Sequence, residues 1–184
     1  KFQKLFPSQL DGISMQAFYK GINKVAPSMI RVEADEATYN LHVMLRLELE
    51  IALMEGTLQV ADLPEAWNSL MKEYLGIRPK TDSEGVLQDV HWSIGSVGYF
   101  PTYALGNLIA SQLWEKINQD IPTLEDQIEK GQFGELLSWL RTRIHQHGAK
   151  FEPQELVKEV TGSTITPEPY IRYLKQKYGE IYQL

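Results

Sequence analysis

Gly85-Val86-Leu87-Gln88-Asp89-Val90-His91-Trp92, followed by Gly98-Tyr99-Phe100-Pro101-Thr102-Tyr103-Ala104-Leu105-Gly106-Asn107, is written unlike the rest of this 184-residue chain. It gathers glycines, aromatics, a carboxylate, an imidazole and two phenols, while the sequence on either side reads as ordinary amphipathic helix. A glycine inside a helix costs about 0.5–1 kcal/mol relative to alanine. Four of them stand here, at positions 85, 95, 98 and 106. Helix propensity does not explain this composition, so the stretch is read as a site that the surrounding helices are built to hold.

Working outward toward the N-terminus, Ser14 precedes Met15, Phe18, Tyr19 and Ile22, a short helical pattern that ends between Gly21 and Pro27. Met29-Ile30-Arg31-Val32-Glu33-Ala34-Asp35 alternates apolar and polar residues, as a short strand or extended segment does. That register places Ile30, Val32 and Ala34 on one face and Arg31, Glu33 and Asp35 on the other. Asp35 or Glu36 then opens the longest predicted helix, which ends at Gly56 and carries His42, Arg46 and Glu50 one turn apart on a single polar stripe. Asp62 and Glu65 have cap-like spacing ahead of a helix that runs to about Gly76.

Toward the C-terminus, helices are expected from about Thr102 to Asn118, after Thr123 as far as Gly131, from Phe133 to His147, from Pro153 to Val160, and from Thr166-Pro167 onward. The expected fold class is therefore mainly α, an irregular multi-helix array with at most one short extended β segment. Residues 1–184 read as a single helical domain. The opening Lys-Phe-Gln-Lys-Leu-Phe-Pro resembles the tail of a longer element, and the chain is expected to be a fragment of a larger protein.

Composition excludes several function classes. Eighteen basic residues scattered among 24 acidic ones, for a net charge of −6, do not form the clustered lysines and arginines that nucleic-acid binding requires. With no cysteine, the chain has no disulfide framework, thiolate nucleophile or Cys-ligated zinc. No run approaches the roughly 20 apolar residues of a membrane span. The expectations are a cytoplasmic protein with neither nucleic-acid nor membrane partners.

A zinc-hydrolase helix needs His-Glu-x-x-His, which puts two imidazoles on one face and supplies a general base. None of the four histidines fits that pattern. His145 and His147 suit the C-terminal end of a helix, where positive charge is favourable. No serine near the central stretch sits in a Gly-x-Ser-x-Gly elbow, and Gly95-x-x-Gly98 lacks the lysine of a phosphate loop. Arg31 either pairs with Glu33 and Asp35 or offers its planar fork to a ligand carboxylate. His42, Arg46 and Glu50 are most simply an internal polar network. Asp89 stands two residues before His91, and in an extended segment it would fix the tautomer of that imidazole. Tyr99 and Tyr103 are four apart, so on a helix their hydroxyls look the same way, either to stabilise an oxyanion or to lie in the interior with a hydrogen-bond partner.

Two segments carry a resemblance. Ile30-Arg31-Val32-Glu33-Ala34-Asp35 resembles the Ile-Arg-x-x-Ala-Asp motif, and Gly85 to Trp92 resembles the Gly-x-x-Gln-Asp-x-His-Trp motif, of the M32 metallocarboxypeptidases, the thermostable carboxypeptidase Taq family. The run from Gly98 to Tyr103 is also similar to that family. The resemblance implies the C-terminal portion of an all-helical, homodimeric zinc enzyme that removes residues from peptide C-termini. It further implies that Arg31 binds the substrate's terminal carboxylate, that His91 hydrogen-bonds substrate or intermediate with Asp89 as its orienter, and that Tyr99 or Tyr103 stabilises the oxyanion. The family's His-Glu-x-x-His and its further glutamate ligand lie N-terminal to the matched part. The expectation is thus zinc in the full-length parent, no metal ligand in this chain, and no hydrolysis by the chain alone. The rival reading is a catalytically silent helical interaction module in which Trp92, Tyr99 and Tyr103 are packing aromatics.

Overall fold

Two single-turn helices, α1 (Phe2–Leu5) and α2 (Pro7–Leu10), lead into α3 (Met15–Ile22), where the Ser14 hydroxyl accepts the Ala17 amide at 3.1 Å and so satisfies one of the first-turn donors. The computed structural model describes residues 2–184, and among these it contains ten helices and no strand. The mainly α, irregular array expected from the sequence is the observed fold class. The chain divides into two compact units, the first ending at Pro101 and the second running Thr102–Leu184.

The first unit is organised by α4 (Tyr39–Met54) and α5 (Leu63–Leu75), which pack against each other. Leu45 and Leu49 of α4 meet Leu63, Trp67, Met71 and Leu75 of α5, with Val86 from the following turn closing the cluster. The apolar residues recur at helical spacing, and Gly76 ends α5 in the left-handed conformation at φ 72°, which its missing Cβ permits. Asp62 heads α5 but does not cap it through its side chain.

The segment read as a short strand or extended segment is extended only in part. Arg31–Glu33 forms a single 3₁₀ turn between extended Ile30 and Ala34. The expected alternation is therefore lost: Arg31 is buried, while Val32 is exposed. Asp35 supplies the reason for this local shape. Its carboxylate accepts the backbone amides of Ala26, Ala37 and Thr38 and the Thr38 hydroxyl, all within 3.0 Å, which folds the chain around the entrance to α4.

The second unit holds α6 (which starts at Pro101 and ends at Asp120), α7 (Leu124–Glu129), α8 (Gly134–Arg143), α9 (Pro153–Thr161) and α10 (Glu168–Tyr182). Ile117, Ile121 and Leu124 form its core with Leu136, Trp139 and Leu140 of α8. Gln112, buried on α6, reaches the turn after α9. Its amide nitrogen donates to Ser163 Oγ at 2.8 Å and to the Thr164 carbonyl at 3.0 Å, and its oxygen accepts the Thr166 amide at 3.2 Å. Thr123 precedes α7 without capping it, and His145 and His147 lie in a 3₁₀ turn beyond α8 rather than in its last turn. Among the described residues no helix is long and apolar enough to cross a membrane.

Candidate functional site

Of the stretch read as a compositional anomaly, Gly85 to Asn107, the part up to Phe100 is a series of tight turns, with a 3₁₀ turn at Trp92–Ile94, and the part from Pro101 belongs to α6. Backbone bonds from Gly85 to Thr81, Leu87 to Asp82 and Gln88 to Gly85 coil the earlier turns, and those from Gly95 to Trp92 and Ser96 to His91 coil the later ones. The glycines serve this path in two ways. Gly95 and Gly98 stand at φ 78° and 79°, a region disfavoured for other residues. At Gly85 an added Cβ would lie 3.3 Å from the Pro79 Cβ and 3.4 Å from the Thr81 carbonyl oxygen, so a side chain there would press on Pro79. Gly106 lies within α6, where nothing would crowd an added Cβ.

These turns deliver Asp89 to two arginines from other parts of the first unit. Arg31 Nη2 donates to Asp89 Oδ1 at 2.6 Å and its Nε to the same oxygen at 3.2 Å. Arg46 Nε donates to Oδ2 at 2.8 Å, and its Nη2 lies 2.7 Å from that oxygen. One carboxylate is thus held by two guanidinium groups, one on each oxygen. Arg31 is paired with Asp89, not with its sequence neighbours Glu33 and Asp35.

Gln88 ties the same elements together. Its side-chain oxygen accepts the Arg31 amide at 2.8 Å and Arg46 Nη2 at 2.9 Å, and its nitrogen donates to the carbonyls of Met29 and Glu84 at 3.0 and 2.8 Å. Arg31 Nη1 donates to the Tyr39 hydroxyl at 2.8 Å. Phe100 is buried, with its ring centre 5.2 Å from the Arg46 guanidinium carbon, 5.6 Å from that of Arg31 and 4.4 Å from the His91 ring. Trp67 lies 4.4 Å from Arg46 on its other contact. The aromatic faces offer partial negative charge to cations that have been taken out of water.

The electrostatics follow from this arrangement. Burial alone would raise the Asp89 carboxyl, but the hydrogen bonds and charges of Arg31 and Arg46 outweigh it and hold the group below the usual carboxylate range. Burial works to lower Arg31, yet Asp89 and Tyr39 raise it overall. In Arg46, which has no exposed surface, burial dominates and brings the pKa to about 10, leaving it charged at neutral pH. His42, one turn before Arg46, is lowered to about 4 by burial and then by the two arginines.

His91 stands at the edge of this cluster, stacked on Tyr99 with ring centres 5.7 Å apart. Its Nδ1 lies 3.9 Å from Asp89 Oδ1, beyond direct hydrogen-bond length. Asp89 is turned chiefly to the arginines. Tyr99 is half-exposed and sits in the turn before α6, which starts at Pro101, so the helical spacing assumed for Tyr99 and Tyr103 does not apply. Tyr103 lies on α6 in the second unit. The stripe on α4 also resolves differently from a continuous network: Arg46 turns to Asp89, and Glu50 accepts the Trp92 indole N–H at 2.8 Å. Sequence reasoning gave no role to Gln88, Tyr39 or Phe100. Gln88 was already inside the quoted motif, and that was the one signal available.

Among the described residues no three of His, Cys, Asp and Glu come together to hold a metal ion. The described residues do not fit a zinc site.

The fold and cluster define an all-α protein whose first unit holds a buried arginine–carboxylate assembly, joining Arg31 and Asp89 from the two motifs quoted above to Arg46 of α4. The chain belongs to the carboxypeptidase Taq (M32) metallopeptidase family, whose model matches residues 1–178. It is 46% identical over 187 residues to thermostable carboxypeptidase 1 of Thermus thermophilus, covering 98% of this chain and 37% of that protein. Carboxypeptidase 1 of Bacillus subtilis is 44% identical over 184 residues, covering 100% of this chain and 37% of its own length. The crystal structure of the M32 carboxypeptidase from Deinococcus radiodurans R1 superposes with a TM-score of 0.96 at 40% identity, over 100% of this chain and 37% of that one. The chain therefore spans little more than a third of the length of these relatives, and the match falls mostly on their C-terminal part.

Proposed function

We propose that this chain is the substrate-binding C-terminal part of a zinc-dependent carboxypeptidase, acting as one helical domain of an enzyme that removes residues from the C-termini of peptides. The observation that carries the reading is Arg31, a motif arginine buried and held in a fixed orientation by Asp89 and Tyr39. Arg31 receives the substrate's terminal carboxylate, the group that distinguishes a chain end from an internal peptide bond, and a planar fork is suited to it. Asp89 serves substrate binding by orienting Arg31 and standing behind His91. His91 contacts substrate or the tetrahedral intermediate, and Tyr99 or Tyr103 stabilises the oxyanion.

The zinc, whose chemistry is to activate water and polarise the scissile carbonyl, is bound by residues outside this chain. The chain by itself does not hydrolyse peptides. The whole enzyme is a cytoplasmic homodimer with neither a membrane nor a nucleic-acid partner. The rival, a silent helical module, has no comparable account of the buried assembly, because replacing buried ion clusters by apolar residues is often neutral or stabilising.

The test is made in the protein encoded by the complete reading frame. Arg31→Lys keeps the charge and loses the fork, and it is expected to lower kcat/KM on peptides with a free terminal carboxylate by about 10- to 100-fold. Unchanged kcat/KM would overturn the role of Arg31. A reading frame without His-Glu-x-x-His upstream would overturn the enzyme.

A further inference from the structure

Two guanidinium groups and one carboxylate leave the Arg31–Asp89–Arg46 assembly with one net positive charge. If Arg31 faced Asp89 alone, the pair would be neutral, and an incoming carboxylate would meet an arginine whose charge was already balanced. Arg46 changes that balance. It has no exposed surface, so it cannot meet a ligand itself, and its side chain is spent on Asp89, Gln88 and the His42 carbonyl. Buried ion pairs recover little stability once desolvation is counted, so folding alone gives weak reason to bury a second arginine here. The division of the carboxylate is also specific: the short contacts of Arg46 go to Oδ2, while those of Arg31 go to Oδ1.

We propose that Arg46 is a positioning residue that acts through Asp89, neutralising the carboxylate so that the charge of Arg31 remains available to the substrate's terminal carboxylate. The inference rests on the assignment of Arg31 as the carboxylate-binding group. It predicts that what matters at position 46 is charge, delivered at a distance, rather than contact or shape.

The experiment uses the protein from the complete reading frame and an acylated tripeptide with a free C-terminal carboxylate, with the C-terminal amide of the same tripeptide as a competing inhibitor. Arg46→Gln is expected to raise KM for the free acid about tenfold while kcat and the Ki of the amide stay within about threefold. Combining it with Asp89→Asn restores the net positive charge but removes the group that orients Arg31, so the double variant is expected to recover part of the loss, with KM about threefold below that of Arg46→Gln. Arg46→Lys, which keeps the charge, is expected to stay within about threefold of the parent.

A purely structural role for Arg46 predicts the opposite order, with the double variant no better than the single. That order, or a loss shared equally by the amide, would overturn the proposal. Should Arg46→Gln be too unstable to assay, Arg46→Lys decides alone: it must keep the preference for the free acid, and loss of that preference refutes the proposal. If the parent enzyme shows no preference for the free acid over the amide, the failure belongs to the assignment of Arg31 instead.

Discussion

His42 gives the sharpest test of the electrostatics around this assembly. It is fully buried on α4, and neither ring nitrogen makes a hydrogen bond of normal geometry. Burial, then the charges of Arg46 and Arg31, push its pKa from 6.5 to about 4, while Asp89 and the nearby Ser28 backbone pull more weakly the other way. The native state therefore keeps this imidazole neutral over a range in which the unfolded chain takes up a proton. Stability rises with pH wherever the unfolded state binds more protons. The penalty is thus nearly absent at pH 7, grows as the pH falls through 6.5, and is complete below about 4. At 1.36 kcal/mol per pKa unit it reaches about 2 kcal/mol at pH 5 and about 3 kcal/mol at pH 4.

His42→Leu removes the titrating group. Packing will shift the stability of the variant by some constant amount, but that offset does not depend on pH. Urea unfolding at pH 7 and pH 5, followed by tryptophan fluorescence with Trp67 buried in the core as the reporter, separates the two effects. The wild type should lose about 2 kcal/mol more than the variant between these pH values. An equal loss in both proteins would refute the reasoning, because His42 would then have the same proton affinity folded and unfolded.

Asp89→Asn leaves two buried guanidinium groups without their carboxylate and should cost about 3–5 kcal/mol at pH 7 by urea unfolding. Because Asp89 is held below its usual range, its contribution is present above pH 3.8 and is lost as the pH falls through the lower native value, so the acid limb of the stability curve below pH 3.8 should be shallower in the variant. Trp92→Phe removes the donor to Glu50, whose second oxygen is already unpartnered, and should cost about 1–3 kcal/mol; Glu50→Leu combined with it should recover part of that loss in the same assay. Gln112→Ala releases the turn after α9, and limited proteolysis should show faster cleavage between residues 161 and 166 with α6 intact.

Periodicity made most of the fold legible. The stretches read as helices around Leu45, Trp67, Ile117 and Val157 are helices whose apolar faces are buried, and the stops at Gly76 and Gly162 are left-handed glycine caps, with φ 72° and 86°. The departure from strand at Met29–Asp35 has a local cause. Alternation over a few residues also fits a 3₁₀ turn flanked by extended residues, and the carboxylate of Asp35, collecting three amides and a hydroxyl, selects the turn. A side-chain cap of that kind competes with strand pairing, and hydrophobic period does not register it.

The site was legible as a set of residues and not as a set of partners, and the separation along the chain explains why. Arg31 and Asp89 are 58 residues apart, Arg46 and Asp89 are 43 apart, and the joints between them are hydrogen bonds made by long side chains. Spacing within a helix states which face a residue occupies, but not which carboxylate from a distant turn will arrive there. The nearest acids in sequence to Arg31 were Glu33 and Asp35, yet Asp35 is consumed by backbone amides and Glu33 remains exposed. Once those two are unavailable, two buried arginines in one unit require a shared buried acid, because an uncompensated guanidinium in the interior costs far more than a hydrogen bond. Asp89 meets that requirement only because the turns around Gly85 and Gly95 bend the chain back onto α4. Of the glycines that first marked this stretch as unlike helix, Gly85 and Gly95 stand in the turns that flank this carboxylate.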